Sequence, residues 1–292
     1  MKIGIVVVWY KPTLEQINNM KNIVGNNQFK ICIVDNTPDV DNVFYFNELL
    51  ANGNNYYIYN GNKGGIAGGF NRGAEKLFED SDVDYFFTMD QDSSLTSDFF
   101  LGMYSFCKEK KSEISCPNFY DRNAKVYGSF VLLTPYFYKI STDGTTNFCI
   151  SSGMCISRRA WELVGPFDES LIIDHVDTAF ALKALVFGFI IKVNYDECLN
   201  HAIGEREVHK LFGITVKPNH HNYIRKYYIV RNGFYLSFKY FKEAKGYFNL
   251  NVLRVMHEFV SVIFYEKDKI RKIKYMLKGL LDAVRGKLGD IK

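Results

Sequence analysis

Short β-forming runs alternate with helical stretches through the first ninety residues, and this alternation restricts the fold more than any other feature of the chain. Strands are predicted at Lys2–Val8, Lys30–Val34, Tyr56–Tyr59 and Tyr85–Met89. Helical patterns cover Leu14–Val24, between the first two strands, and Ala67–Phe78, between the last two. Strands and helices that alternate in this way form a parallel sheet with helices on its faces. We therefore expect an α/β fold.

The rest of the chain departs from this alternation in two ways. The segment Lys125–Cys155 is β-rich without clear helices, which adds an antiparallel or mixed part to the sheet. After Asn219 the residues are compatible with helix nearly to the end, with apolar positions three and four residues apart. We expect a mostly parallel mixed sheet flanked by helices in residues 1–219, with its halves at about 1–95 and 96–219, and a helical region at 220–292.

Charge is distributed unevenly along the chain. Residues 1–223 contain 20 Lys and Arg against 26 Asp and Glu, whereas residues 224–292 contain 16 against 6. The C-terminal quarter is therefore a basic region on a mildly acidic body, which calls for a partner with negative charge. Its last part carries an apolar helical stripe formed by Ile270, Ile273, Met276, Leu277, Leu280, Leu281 and Val284. This stripe could pack on the body or on a second subunit, or it could lie on a membrane that contains anionic lipid.

Ligands of parallel sheets bind outside the carboxyl ends of the strands, so the segments after the predicted strands are candidate sites. Asp35 ends the second strand, where a carboxylate can accept hydrogen bonds from a base or ribose, or can initiate a turn. The fourteen residues from Asn60 to Gly73 contain six glycines and lead into a helix. Glycines let backbone amides approach a ligand, and a helix N-terminus favours anions. With Lys63 and Arg72, this segment indicates a phosphate site; a glycine-rich loop without a ligand is the alternative.

Two carboxylates follow the next strand, in the sequence Asp90-Gln91-Asp92. Carboxylates two residues apart at a strand end can face one divalent cation, and Mg²⁺ or Mn²⁺ prefers oxygen ligands together with diphosphate oxygens. Acidic residues also end strands as solvated turns, so the motif alone is a weak signal. Its position about thirty residues after the glycine-rich segment, on the next strand, strengthens the prediction of a metal–diphosphate site.

Three more residues could carry chemistry later in the chain. Asp174 and Asp177 lie at the start of a helix predicted at Asp177–Phe187, where either carboxylate could cap the helix or act as a general base towards a hydroxyl nucleophile. His201 comes after the next predicted strand, Phe189–Val193, and could be a metal ligand or a structural residue.

Taken in order, these segments resemble family 2 of the inverting glycosyltransferases, which have the GT-A fold, and they are especially similar to its rhamnosyltransferase branch. The resemblance runs nearly from end to end through VVVWYKP, VDNT, NKGGIAGGFNRGAE, MDQDS, SSGMCISRRAWELVGPFDESLIIDHVDTAFALKA, NHAIGE, HHNYIRKYYIVRNGFY and KGLLDAVRGKLG. It implies transfer of L-rhamnose from dTDP-L-rhamnose to a hydroxyl of a lipid-linked saccharide, in bacterial surface polysaccharide synthesis of the O-antigen or capsule type. UDP-galactofuranose or another UDP-sugar is the alternative donor, and a sugar nucleotidyltransferase is the alternative enzyme.

The resemblance also implies roles for individual residues. Asp35 would contact the nucleotide base, and Asp177 would be the catalytic base, with Asp174 as its competitor. The donor would also be bound by the glycine-rich segment and the motif after the next strand, through Asn62, Lys63, Gly64, Gly65, Asn71, Arg72, Asp90 and Gln91. Mg²⁺ or Mn²⁺ would be bound by Asp92 and His201, with Asp90 in the same site. Lys183 departs from the family pattern, which has Arg after the helix leucine.

The expected partners and location follow from the same features. No apolar run approaches the roughly 20 residues needed to span a bilayer, and the six cysteines contain no CxxC pair. We therefore expect a cytoplasmic protein with reduced thiols, peripheral to the inner face of the cell membrane, where it would meet a lipid-linked acceptor. We expect no nucleic-acid partner, and the C-terminal stripe leaves a homo-oligomer open.

Overall fold

Strands and helices alternate through the first part of the chain, as the sequence predicts. The computed structural model describes residues 2–24, 28–39, 42–43, 47, 50, 55–79, 82–91, 96–121, 125–201, 207–211 and 213–291. The elements described completely up to Asp121 are β1 (Lys2–Trp9), α1 (Leu14–Val24), β2 (Phe29–Asp35), β3 (Tyr56–Tyr59), α2 (Gly65–Phe78), β4 (Val83–Asp90), α3 (Ser97–Glu109) and β5 (Ile114–Asp121). The middle of the chain contributes β6 (Val126–Tyr127), β7 (Val131–Leu133), β8 (Tyr138–Ile140), β9 (Thr145–Thr146), β10 (Met154–Ser157), α4 (Arg158–Val164), a 3₁₀ turn (Glu169–Leu171), α5 (Val176–Val186), β11 (Ile191–His201), β12 (His209–Leu211) and β13 (Ile214–Val216). Three helices follow: α6 (Tyr223–Lys239), α7 (Lys245–Tyr265) and α8 (Lys269–Val284).

The central sheet is mixed and mostly parallel. Its strand order is β3-β2-β1-β4-β10-β5-β11-β9, and β6 pairs with β5. Strands β3, β2, β1 and β4 are parallel, and β5 is parallel to β11. Strand β10 runs antiparallel to both β4 and β5, so the carboxyl ends of β4, β5 and β11 all lie at one edge of the sheet. The predicted α/β class with a mixed part is confirmed.

Helices cover the sheet on both faces, and the side chains of β1 are therefore buried alternately on one face and the other. Val6 and Val8 belong to one core cluster with Phe70 of α2. Ile5 and Val7 belong to a second cluster with Phe100 of α3. A strand that buries both faces is typical of a parallel sheet between helical layers.

The three C-terminal helices pack around a cluster of buried apolar side chains that includes Val230, Val255 and Met276. A buried ion network ties the same helices together: Lys226 Nζ lies 2.8 Å from Glu266 Oε1, and Lys272 Nζ lies 2.7 Å from Glu266 Oε2. Burial of such pairs costs free energy unless the remaining hydrogen bonds of the charged groups are made, and Lys226 also bonds to the side chains of Asn219 and Glu258. The predicted helical C-terminal region is confirmed, whereas its separation from the body at residue 219 stays a prediction.

Helix α8 has two apolar sides. Met276 is buried, and Ile273 and Leu280 pack beside it against the other C-terminal helices. The other members of the predicted stripe are exposed, namely Ile270, Leu277, Leu281 and Val284, with Ile270 at 87%. The stripe therefore divides into a packed side and an exposed side. Among the described residues, no helix is both long enough and apolar enough to cross a membrane.

Candidate active site

The predicted site segments meet at one edge of the sheet, because the strands before them are in register. Trp9 lies opposite Asp35, Asp35 lies opposite Tyr59, and Val8 lies opposite Asp90. The segments that follow β1, β2, β3 and β4 therefore start side by side.

Asp35 is fully buried at the end of β2 and organises the turn after it. Its Oδ1 accepts the amide of Thr37 at 2.8 Å, and its Oδ2 accepts Asn42 Nδ2 at 2.7 Å and the Tyr57 hydroxyl at 2.8 Å. Its carbonyl oxygen accepts the amide of Asn60, which joins the ends of β2 and β3. These bonds give Asp35 a structural role in this edge, and its contact with a nucleotide base stays a prediction.

Two asparagines that the sequence analysis did not single out connect β2 to the glycine-rich segment. Asn36 Nδ2 donates to the carbonyl of Gly65 at 2.8 Å, and Asn36 Oδ1 accepts Asn60 Nδ2 at 2.7 Å. Asn60 Nδ2 also lies 2.8 Å from the carbonyl of Lys63. Both side chains are buried. The signal was in the sequence, since Asn60 directly follows a predicted strand and Asn36 follows Asp35 at the end of another.

The glycines at the start of α2 allow a neighbouring segment to come close. Gly64 and Gly65 have φ values of +69° and +60°, which L side chains rarely adopt. A Cβ atom at Gly65 would lie 2.1 Å from the carbonyl oxygen of Ile172. The amide of Gly65 donates to Asn62, and that of Ile66 donates to Ile172 at 3.2 Å. These two amides bind protein carbonyls here, so the binding of phosphate by this loop stays a prediction.

Asn71 and Arg72 lie against the segment before α5. Asn71 is buried and exchanges two hydrogen bonds with the backbone of Phe167, at 2.9 and 3.1 Å. Asn71 Nδ2 also donates to Glu169 Oε1 at 2.9 Å, and Arg72 forms an ion pair with the same carboxylate. The structure therefore brings both residues to positions 167–169, where they hold α2 to that segment. Their predicted contact with the donor is not tested by this arrangement.

A cavity of about 490 Å³ opens at this edge of the sheet. Four of the predicted donor-binding residues line it, Asn62, Gly65, Asp90 and Gln91. Its other lining residues are Val8, Tyr10, Asn36, Ile66, Ile172, Ile173 and Ile224. Gln91 Oε1 accepts the amide of Tyr10 at 2.6 Å, which fixes the end of β4 to the end of β1. The cavity combines apolar walls with a few polar groups, as small-molecule sites do.

The backbone from Ile172 to His175, next to this cavity, has an unusual conformation. Ile172, Asp174 and His175 have φ values of +68°, +59° and +61°. Positive φ is unfavourable for residues other than glycine, most of all for a β-branched residue such as Ile172. Residues in such conformations cluster at functional sites, where the surroundings maintain them.

The two candidate carboxylates differ in their surroundings. Arg225 of α6 binds Asp174 with Nε at 3.2 Å from both oxygens and Nη2 at 3.1 Å from Oδ1. Asp177 is half-buried in the first turn of α5, and its Oδ1 accepts the amide of Thr178 at 2.6 Å. Burial raises the pKa of Asp177, and the negative charge of Asp174 adds to this effect. Burial also raises the pKa of Asp174, although Arg225 opposes the shift.

His175 lies between these carboxylates in the sequence and faces α7. Its Nδ1 is 3.3 Å from the hydroxyl of Tyr247. Burial, together with the positive charge of Arg254, lowers the pKa of His175 to about 3. The imidazole is therefore neutral at physiological pH and adds no charge to the site.

Comparison with known proteins identifies the family. Residues 10–163 match the model for glycosyl transferase family 2, which covers more than half of the chain. The dTDP-rhamnosyl transferase RfbF of Shigella flexneri is 30% identical over 300 residues, 97% of this chain and 96% of that protein. The chain belongs to glycosyl transferase family 2.

Solved structures agree with the fold of this family 2 glycosyltransferase. Residues 1–349 of S. aureus TarS superpose with a TM-score of 0.60 at 12% identity, covering 97% of this chain and 81% of that one. The same TarS fragment in complex with UDP-GlcNAc gives 0.58 at 14% identity, covering 97% and 82%. GalNAc-T7 with UDP, GalNAc and Mn²⁺ gives 0.59 at 11% identity, covering 98% and 56%. At these identities the likeness concerns the fold alone, and the predicted GT-A architecture is confirmed.

The predicted metal ligands of this glycosyltransferase are only partly within the described residues. Asp90 lines the cavity, whereas Asp92 and the side chain of His201 lie outside the described part of the chain. The backbone of His201 ends β11 at the same sheet edge as Asp90, and two strands, β10 and β5, lie between β11 and β4. Within the described ranges, no group of three or more His, Cys, Asp or Glu side chains could hold a metal ion.

Proposed function

We propose that this protein transfers L-rhamnose from dTDP-L-rhamnose to a hydroxyl of a lipid-linked saccharide, in the synthesis of a bacterial surface polysaccharide of the O-antigen or capsule type. The observation that carries this proposal is the 30% identity to a dTDP-rhamnosyl transferase across 97% of this chain and 96% of the other. A match over the whole length includes the donor cavity, the segment before α5 and the C-terminal helices together.

The donor nucleotide would occupy the cavity at the ends of β1 and β4. Asn62 and Gln91 supply amide groups for hydroxyl and phosphate oxygens, and Asp90 lies beside them. The apolar wall from Ile172, Ile173 and Ile224 would exclude water from the face of the base or sugar. Four other residues before and within the first turns of α2 stay candidates for binding the sugar nucleotide, namely Lys63, Gly64, Asn71 and Arg72. Asp35, at the end of β2, would contact the nucleotide base.

Asp177 would be the general base. Its Oδ2 has no hydrogen-bond partner among the described residues, and the side chain is partly exposed, which leaves this oxygen free to accept a proton. Proton transfer to Asp174 would instead weaken its bonds to Arg225, because bonds between charged groups are stronger than those that involve a neutral group. The acceptor oxygen, as it loses its proton to Asp177, would attack the sugar C1 while the nucleoside diphosphate leaves from the opposite face. A positioned base contributes about 10²–10⁴-fold in rate.

Mg²⁺ or Mn²⁺ fits the oxygen donors at the end of β4. The carboxylate of Asp90 lines the cavity, and carboxylates are preferred ligands of both ions. Asp90, Asp92 and His201 would hold the ion. When bound, it would neutralise charge on the departing diphosphate. The hydrogen bond between the Tyr10 amide and the Gln91 side chain fixes the end of β4, where Asp90 would bind the ion.

The choice of donor is tested with a panel of nucleotide sugars. The purified protein is incubated with a lipid-linked saccharide acceptor and dTDP-L-rhamnose, UDP-galactofuranose or another UDP-sugar, and release of nucleoside diphosphate is measured. The proposal predicts acceptor-dependent release of dTDP. Release of UDP alone would favour the alternative donor, and formation of a nucleotide sugar from a sugar phosphate would favour a nucleotidyltransferase, which the family assignment argues against.

Helix α8 would place the protein on the cytoplasmic face of the cell membrane. Ile270, Leu277, Leu281 and Val284 are exposed and lie within an arc of roughly 60°, at 3.6 residues per turn. Lys274 and Arg285 lie along one side of this arc and are also exposed. An exposed apolar stripe beside cations complements a bilayer that contains anionic lipid, and each surface-proximal cation adds about 1 kcal/mol. A homo-oligomer through the same stripe is the other outcome of the vesicle test given below.

A further inference from the structure

The segment from Ser170 to Asp174 is held almost entirely by groups outside it. Each of its five carbonyl oxygens accepts a hydrogen bond from another element of the protein. At the donor cavity, which both residues line, the amide of Ile66 donates to the carbonyl of Ile172 at 3.2 Å. The other four carbonyls are bound from the C-terminal region. The segment thus spans from the donor cavity to α6.

Asn232 of α6 supplies the largest share of these bonds. Its Nδ2 lies 3.0 Å from the carbonyl of Leu171, 2.8 Å from that of Ile173 and 3.0 Å from that of Asp174. Asn232 is fully buried. The NH₂ group of one side chain therefore lies within hydrogen-bond distance of three carbonyls, in a segment about sixty residues earlier in the chain.

Arg231, the preceding residue, binds the other end of the segment. Its guanidinium donates to the carbonyls of Ser170 and Leu171 at 3.3 and 3.2 Å, and its Nε donates to Asn232 Oδ1 at 2.8 Å. The side chain is 1% exposed, and its guanidinium also bonds to the carbonyl of Gly289. A buried charge is costly unless its hydrogen bonds are made, so this guanidinium needs the carbonyls that it binds.

The chain after α8 closes the arrangement. The amide of Gly289 donates to the carbonyl of Ser170 at 2.8 Å, and the amide of Ile291 donates to the hydroxyl of Tyr228 at 3.0 Å. Arg231 therefore lies between the C-terminal segment and the segment before α5, in contact with both.

The backbone that these bonds hold is the one with unfavourable dihedral angles. Ile172, Asp174 and His175 have positive φ. Asn232 binds the carbonyl of Asp174 and that of Ile173, the residue between Ile172 and Asp174. Such a conformation persists only when its surroundings impose it. Asp177 lies in the first turn of the helix that follows directly, so the direction of its carboxylate depends on this backbone.

We propose that Arg231 and Asn232 are positioning residues that hold Ser170–Asp174 in its strained conformation and so fix the position of Asp177 relative to the donor cavity, which Ile172 and Ile173 line. This inference rests on the proposed role of Asp177 as the base. Neither residue contacts substrate; both act through the backbone. Without them the segment relaxes, the start of α5 turns away, and turnover falls more than donor binding does.

The test compares Asn232→Leu, which keeps the size but removes the amide donor, with Arg231→Lys, which keeps the charge but loses the planar fork. Ser237→Ala is the matched control, because Ser237 is equally buried on the same helix and, among the described residues, its hydroxyl bonds within that helix, to the carbonyl of Gly233. Thermal unfolding establishes that each variant is folded. Arg231→Lys serves as the milder variant if Asn232→Leu does not fold.

Hydrogen–deuterium exchange of peptides covering residues 166–180 gives a readout that needs no substrate. We expect exchange at least about tenfold faster in Asn232→Leu and Arg231→Lys, because local opening controls exchange, and no change in Ser237→Ala. With the donor that the wild type uses, kcat falls about 10- to 100-fold while nucleotide affinity stays within about threefold.

Unchanged exchange in residues 166–180 would overturn the inference, and so would a loss of nucleotide affinity in proportion to kcat. If the wild type transfers no sugar from any donor, the proposed function fails, and the exchange result still decides whether these residues hold the segment.

Discussion

Arg225 of α6 binds the carboxylate of Asp174 through Nε and Nη2, at 3.1–3.2 Å. Asp177, three residues later, has only its neighbour Thr178 as a partner for Oδ1 among the described residues. The two carboxylates that the sequence left as competitors therefore differ: one is engaged in an ion pair, and the other can accept a proton. This difference favours Asp177 as the base.

Replacement of Asp177 by Asn should reduce turnover at least about 100-fold, the lower limit for a general base, because the amide keeps the shape but cannot accept a proton. Nucleotide affinity, measured by calorimetry, should persist. Asp174→Asn is the matched variant and should retain more activity. If Asp174→Asn loses turnover and Asp177→Asn remains active, the base has been assigned to the wrong carboxylate.

The pH dependence of kcat gives a second test of the same group. The base must be deprotonated, so activity is lost as pH falls through its pKa. Because burial and the charge of Asp174 raise the pKa of Asp177, the acid limb should lie above about pH 4, where a free Asp titrates. Asp174→Asn removes one of the raising effects and should move the limb to lower pH. A limb that moves to higher pH would contradict this account.

Metal dependence is expected from Asp90 and from the predicted ligands Asp92 and His201. Chelation should abolish turnover, and added Mg²⁺ or Mn²⁺ should restore it, because the ion would neutralise the diphosphate charge. Asp92→Ala should remain inactive at all metal concentrations, whereas Asp98→Ala, at an acidic residue of the neighbouring α3, should behave as wild type. Full turnover in chelator, or a wild-type rate in Asp92→Ala, would rule out the metal role.

Membrane binding is expected to depend on the exposed side of α8. Deleting the helix would not test this, because α8 also buries Met276 and Lys272 in the C-terminal core. Leu277→Ser combined with Leu281→Ser should instead abolish sedimentation with anionic vesicles, and high salt should weaken the binding of the wild type. Leu163→Ser, at an exposed leucine of α4, is the control. Vesicle binding that survives the double substitution would exclude this surface, and loss of a dimer would assign the stripe to a second subunit.

Local sequence patterns predicted the elements and the strand ends that form the site. Helix α1 at Leu14–Val24 and strand β3 at Tyr56–Tyr59 have the predicted bounds, because apolar periodicity and turn residues are local signals. The alternation of strands and helices also predicted that Asp35 and Asp90 lie at the same edge of the sheet, because the carboxyl ends of parallel strands are on the same side. Helix α3 was not predicted, although Thr96 caps its first turn.

Contacts between distant segments were beyond these patterns. Asn71 pairs with Phe167, 96 residues later, and Asn232 binds carbonyls of Leu171 and Asp174 that come about sixty residues earlier. Such pairings depend on how helices pack on the sheet, and neither composition nor periodicity encodes them. The sequence could therefore name the polar residues of the site, but it could not separate those that line the cavity from those that hold its walls.

The measurement that tests the central claim most directly is the structure of the transferred product. Purified protein is incubated with dTDP-L-rhamnose and a lipid-linked saccharide, and the product is analysed by mass spectrometry and by NMR of the new glycosidic linkage. The account predicts one added rhamnose per acceptor, an anomeric configuration inverted relative to the donor, and no product from Asp177→Asn. Retained configuration, or transfer only from a UDP-sugar, would contradict it.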